Sequence, residues 1–123
     1  MSDLKKKVLI ADDNQVSYAY LEVLLKRMGI ASIHAKNGLE VLKLIKDENP
    51  DIILLDIGME TMDGIAVLKA IKKDTQTSHI PVIMVSGDNS KETIKKCTSL
   101  GCVGYLEKPV NADTLREALA MTN

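Results

Sequence analysis

Asp12-Asp13, Asp56, Ser86 and Lys108 are the residue types that phosphoryl chemistry uses. Carboxylates hold a hard cation or act as nucleophile, a hydroxyl donates to an anionic oxygen, and an ammonium neutralises one. Each lies at or just past the end of a short apolar run. Val8-Leu9-Ile10-Ala11 runs into Asp12-Asp13, Ile52-Ile53-Leu54-Leu55 into Asp56, and Pro81-Val82-Ile83-Met84-Val85 into Ser86. A fourth run, Val103-Gly104-Tyr105-Leu106, is followed by Glu107 and then Lys108-Pro109. Apolar runs of this length bounded by turn residues read as buried parallel strands, and in open α/β sheets the functional groups sit just beyond the carboxyl ends of the strands.

Helical patterns alternate with these runs. Asn14 is placed to cap a first helix with Val16, Tyr20, Leu24 and Met28 on one face, Leu21 and Leu25 beside them, and Gly29 as its stop. Ala31 to Ala35 is a more polar, edge-like strand. Asn37-Gly38 then opens a second helix with Leu39, Leu42 and Ile45 inward, closed before Pro50. Asp63 caps a third helix that buries Ile65, Leu68 and Ile71. The segment Gly87-Asp88-Asn89-Ser90 leads a fourth that is polar apart from Thr93, Ile94, Cys97 and Leu100, and so thinly anchored. Asn111 caps a fifth, with Leu115, Ala118 and Leu119 inward.

Strand–helix units in this succession predict an α/β fold: a doubly wound five-stranded parallel sheet with right-handed crossovers, flavodoxin-like order 2-1-3-4-5 and five flanking helices. The switch point then falls between the first and third strands, so Asp12, Asp13 and Asp56 converge in one crevice. Like charges about 4 Å apart repel by roughly 1 kcal/mol in water and about 4 kcal/mol at an effective dielectric near 20. Oxygen-only ligands with no soft donor match magnesium as the counter-charge.

Composition narrows the field. A chain of 123 residues with 46% hydrophobic residues is the size of one domain, and we expect a single domain over residues 1–123. Sixteen basic and seventeen acidic residues leave a formal charge of -1, which predicts neither direct nucleic-acid binding nor attraction to a membrane. No apolar stretch approaches the roughly 20 residues needed to cross a bilayer, and the start has no signal-peptide core; a cytoplasmic location is expected. Cys97 and Cys102 are read as reduced cysteines, since zinc needs about four ligands at recognisable spacings. His34 and His79 stand in edge or loop positions, and no Gly-x-Ser-x-Gly elbow exists, so a serine or cysteine hydrolase is not supported.

The paired acids of Leu9-Ile10-Ala11-Asp12-Asp13, the segment Leu54-Leu55-Asp56-Ile57-Gly58-Met59-Glu60-Thr61-Met62-Asp63-Gly64, the Ser86-Gly87 step and Lys108-Pro109 together resemble the receiver domain of two-component response regulators, of the chemotaxis-regulator kind. The resemblance covers essentially the whole chain. Residue types alone leave the nucleophile open among the three carboxylates; the resemblance implies Asp56, accepting a phosphoryl group from the phosphohistidine of a sensor histidine kinase or a phosphotransfer protein. It further implies magnesium held by Asp13, Asp56, the backbone carbonyl of Gly58 and, through water, Asp12. Lys108 and Ser86 would contact phosphoryl oxygens, and the Lys108-Pro109 bond would be cis.

The resemblance also implies a switch rather than an enzyme, with at most self-phosphorylation from small phosphodonors and autodephosphorylation. Ser86 would draw the loop before the fourth helix inward and Tyr105 would turn into the vacated space. The signal would then pass to a downstream protein or output domain through helix 4, strand 5 and helix 5. Gly58 and Asp88 occupy positions that tune water access, and Glu60 stands where the family usually has proline. Two other classes are a non-phosphorylated interaction module of the same fold and a magnesium-dependent aspartyl-phosphate hydrolase. The complete acidic set with Ser86 and Lys108 argues against the first, and the lack of any loop long enough for a lid against the second.

Overall fold

A computed structural model of the chain describes residues 6–59 and 63–122. The strands are β1 (Lys7–Ala11), β2 (Ala31–Ala35), β3 (Ile52–Asp56), β4 (Val82–Ser86) and β5 (Gly104–Glu107). The helices alternate with them: α1 (Gln15–Arg27), α2 (Gly38–Glu48), α3 (Gly64–Lys73), α4 (Lys91–Ser99) and α5 (Ala112–Ala120). All pairings are parallel and the order is β2-β1-β3-β4-β5, as expected.

Strand side chains alternate between two cores. Leu9, Ala11, Ile53, Leu55 and Met84 face α2, α3 and α4. Val8, Ile10, Leu54, Ile83 and Val85 face α1 and α5. Both faces are covered, so the central strands β3 and β4 are buried along their whole length and read as continuous apolar runs. The edge strand β2 is buried only at Ala35, which accounts for its polar sequence.

Each helix begins on a side-chain cap from the expected neighbourhood. Asn14, Asn37, Asp63, Ser90 and Asn111 accept backbone N–H bonds at the starts of α1 to α5 respectively. Gly29 just past α1 has a φ of 76°, which the left-handed stop requires. The buried faces are less faithful to the sequence pattern. In α1 the buried residues are Leu21, Leu24 and Leu25, whereas Val16 is 78% exposed and Tyr20 45% exposed, its hydroxyl donating to the Val110 carbonyl. In α2 the inward residues are Val41 and Ile45, with Leu42 partly buried and Leu39 65% exposed. In α3, Val67 joins Leu68 and Ile71, while Ile65 is only partly buried. Among the described residues no helix is long and apolar enough to cross a membrane.

Candidate functional site

Register brings the acids together. Ala11 pairs with Leu55, so the residues that follow, Asp12 just past β1 and Asp56 at the end of β3, stand at the same level. Asp13 follows into the β1–α1 loop. One carboxylate oxygen each from Asp12, Asp13 and Asp56 lies within 4.8 Å of the others. Asp12 and Asp56 are buried and Asp13 is exposed, so the cluster opens to solvent on one side.

β4 and β5 supply the other two groups. Ser86 pairs with Glu107, and the Lys108 N–H donates to the Ser86 carbonyl at 2.8 Å, which extends that pairing past the strand end. The Lys108 ammonium thereby reaches back over the sheet, 3.4 Å from Asp56 Oδ2 and 3.5 Å from Asp12 Oδ2. The Lys108-Pro109 peptide is cis. Asp56 Oδ1 accepts the Gly58 N–H at 3.2 Å, and this turn brings Gly58 beside the cluster.

Asp56 is only 7% exposed, and burial pushes its carboxyl above the ordinary value. The Lys108 ammonium and the Gly58 N–H pull it back down, and the Asp12 charge adds a further push upward. A buried carboxyl whose charge is undercompensated, facing two more carboxylates, suits a hard divalent cation. The donors are all oxygens, with room on the Asp13 side for water, as magnesium prefers.

Ser86 lies beside this cluster with its hydroxyl engaged locally: Oγ accepts the Asp88 N–H at 2.9 Å. Asp88 in turn accepts from the Ser90 N–H and from Thr93 Oγ1, each at 2.9 Å, which ties the β4–α4 loop to the first turn of α4. These bonds hold the Asp88 carboxyl below its ordinary value. The Tyr105 hydroxyl donates to the Asp88 carbonyl. Tyr105 is therefore half-buried and already engaged with the same loop, rather than turned away from it. Asp12, Asp13, Asp56 and Lys108 come together directly, and Ser86 and Tyr105 meet through Asp88. Glu60 lies outside the described residues.

Two further features border the site. Gly64, the first residue of α3, leaves no room for a side chain: an added Cβ would lie 2.3 Å from the Asp56 carbonyl oxygen and 2.7 Å from the Ile57 Cα. Its small size lets α3 start hard against the end of β3; in the sequence it closes the Leu54-to-Gly64 segment that carries the resemblance, directly after the capping Asp63. The second is an open groove of about 580 Å³ next to the acids, between α1 and the β5–α5 loop, lined by Val16, Tyr20, Lys108 and Pro109 among others.

Known proteins share both sequence and structure with the chain. A family profile described as the response regulator receiver domain matches residues 8–120. The polar-differentiation response regulator DivK of Brucella anthropi is 33% identical over 116 residues, which cover 94% of each chain. The structure of chemotaxis protein CheY4 of Vibrio cholerae superposes with a TM-score of 0.90 at 28% identity, covering 97% of this chain and 99% of that one. The receiver domain of the Francisella response regulator 1452 gives 0.87 at 33% identity, over 96% and 97%. With the strand order, the acid cluster and the lysine in place, these matches establish that the chain belongs to the receiver-domain family of two-component response regulators, signalling modules that work as phosphorylatable switches.

Proposed function

We propose that Asp56 is the phosphoacceptor of this receiver. Asp56 Oδ attacks the phosphorus of a phosphohistidine on a histidine kinase or phosphotransfer protein; the N–P bond breaks, an O–P bond forms, and the imidazole departs. The observation that carries this reading is the placement of Asp56 within reach of Asp12, Asp13 and Lys108 at the carboxyl end of the sheet.

Asp13, Asp56 and the Gly58 carbonyl would hold magnesium, with Asp12 contributing through water. When bound, the cation neutralises phosphoryl oxygens and so favours in-line transfer. The chain's own groups do the rest. Lys108 supplies a positive charge that already spans Asp56 and Asp12 and is suited to a transferred phosphoryl oxygen. Ser86 can exchange its bond with the Asp88 N–H for one donated to another oxygen. That exchange would release Asp88, to which Tyr105 and the start of α4 are tied, and pass the change to a downstream partner at the α4–β5–α5 face. A phosphodonor helix approaching Asp56 would lie over the apolar groove beside Lys108, where Val16 and Tyr20 offer contact area. The reading includes a cytoplasmic site of action, with which two free thiols, Cys97 and Cys102, agree.

Intact mass after incubation with acetyl phosphate and magnesium tests the proposal. One phosphoryl group should appear, labile in alkali as an acyl phosphate is, and Asp56→Asn should abolish it. A full adduct on Asp56→Asn would move the nucleophile elsewhere; no adduct on the parent would favour an interaction module that does not take phosphate.

A further inference from the structure

His34 has no part in the phosphoacceptor reading, yet it touches the backbone of the acid cluster. It sits on β2 opposite Ile10. Its ring stacks on Tyr18 of α1, with centroids 3.7 Å apart and planes 8° from parallel. Its Nε2 lies 2.8 Å from the main-chain oxygen of Asp12. A carbonyl oxygen only accepts, so Nε2 carries the hydrogen and donates it. Tyr18 is held in turn, its hydroxyl donating to Glu22 at 2.9 Å.

The carbonyl that His34 grips belongs to the peptide joining Asp12 to Asp13. That unit is planar from one Cα to the next, so a bond to its oxygen constrains the direction in which both carboxylate-bearing carbons leave β1. Other bonds act on Asp12 elsewhere: its N–H donates to the Ala35 carbonyl at 3.1 Å, and its Oδ1 accepts the Asn14 N–H at 2.9 Å. The His34 bond acts on the plane itself.

We propose that His34 is a positioning residue for the acid cluster: steadied by its stack on Tyr18, it sets the Asp12–Asp13 peptide plane and so aligns the two carboxylates for a divalent cation. The inference rests on the cation-binding part of the phosphoacceptor reading. Hydrogen-bond partners of a metal site one step removed from the ion change affinity by about 10- to 100-fold, and a bond to backbone rather than to a ligand atom belongs at the low end of that range.

Two substitutions separate the ring from its donor. His34→Phe keeps a flat ring for Tyr18 and loses the N–H; His34→Gln places an amide nitrogen the same number of bonds from Cα and loses the stack. Magnesium alone is titrated into the parent and both variants, followed by the amide shifts of Asp13 and Asn14, and the Asp12 carbonyl carbon shift is read in the metal-free proteins. His34→Phe should weaken magnesium binding about tenfold and move the Asp12 carbonyl shift, and His34→Gln should restore both to near the parent. Equal magnesium affinity in the parent and His34→Phe overturns the proposal, as does His34→Gln binding as weakly as His34→Phe. Acetyl phosphate labelling of the parent separates the two failures. A parent that binds magnesium and takes phosphate while His34→Phe binds equally well removes only His34's role; a parent that binds no magnesium removes this inference and the cation part of the phosphoacceptor reading together.

Discussion

Asp56 and Lys108 face each other across the carboxyl end of the sheet, Oδ2 to Nζ at 3.4 Å, and the same ammonium stands 3.5 Å from Asp12 Oδ2. One cation is shared between two buried carboxylates. Lys108 is itself 30% exposed, so part of its charge is spent on solvent. The metal-free site therefore holds more negative charge than it neutralises, and its response to pH, substitution and cations follows from that imbalance.

The first prediction concerns pH. Asp56 has a folded-state pKa raised above its ordinary value of 3.8, so the folded chain binds more protons than the unfolded chain between those two values. The group's contribution to stability therefore falls as pH rises through that window and stays unfavourable above it. In metal-free buffer at pH 7, Asp56→Asn should unfold a few degrees above the parent, with the difference shrinking as pH falls toward 4. Thermal melts at the two pH values decide it; a less stable Asp56→Asn at pH 7 would show that the carboxylate is fully compensated.

Asp13→Ala removes a charge from the open side of the cluster without touching either core. It should bind magnesium at least about tenfold more weakly, equivalent to about 1.4 kcal/mol. The parent should gain about 1.4 kcal/mol of stability at magnesium tenfold above its Kd, and the variant much less at the same concentration. Matching magnesium-dependent melting curves would mean that Asp13 is not a ligand.

Ser86→Ala tests the route outward. Beryllofluoride, which mimics a phosphoryl group on Asp56, should shift backbone amides in the Ser86 to Ser90 loop, α4 and Tyr105 of the parent more than those of α2. In Ser86→Ala the distal shifts should shrink while acetyl phosphate labelling persists, because Lys108 still faces the acceptor. Equal distal shifts in both proteins would exclude this hydroxyl as the link. The lost bond to the Asp88 N–H should cost only about 1 kcal/mol, so the fold remains available for the comparison.

Gly64→Ala tests how tightly α3 is set against the site. A Cβ 2.3 Å from the Asp56 carbonyl oxygen meets backbone, which cannot swing aside as a flexible side chain would. Denaturant unfolding should show a loss of about 3 kcal/mol, and the Gly58 and Asp56 amides should shift even without magnesium. A near-neutral substitution would mean that the α3 start moves away freely.

The strand ends and the five helix caps were readable because each is a local signal: an apolar run stopping at a carboxylate, or a short polar side chain three residues before an N–H that needs an acceptor. The strand order followed from the chain-wide alternation of strand and helix, which right-handed crossovers restrict to few topologies. The inward faces of α1 and α2 are legible only in part: Leu21, Leu24, Leu25 and Ile45 are buried as their spacing predicts, whereas Val16, Tyr20 and Leu39 are exposed. Val16, Tyr20 and Leu39 are apolar or aromatic at helical spacing, but periodicity reports only that residues share a face, and the crossing of helix over sheet decides which face is covered. In α1 the exposed Val16 and Tyr20 line the groove beside Lys108.

By itself the sequence determined which residue types stand at the ends of the strands, and so that three carboxylates, a hydroxyl and an ammonium share one edge of a parallel sheet. Tertiary structure alone decided how they are joined: the residue register within the expected β1–β3 pair that sets Asp12 level with Asp56, the reach of Lys108 over both, the Asp88 knot between Ser86 and Tyr105, and the grip of His34 on the Asp12 carbonyl. The physical reason is range. Turn, cap and strand preferences act over a few neighbouring residues, whereas these contacts join residues far apart in the chain, and only packing both faces of the sheet fixes the register and side-chain direction that let them meet.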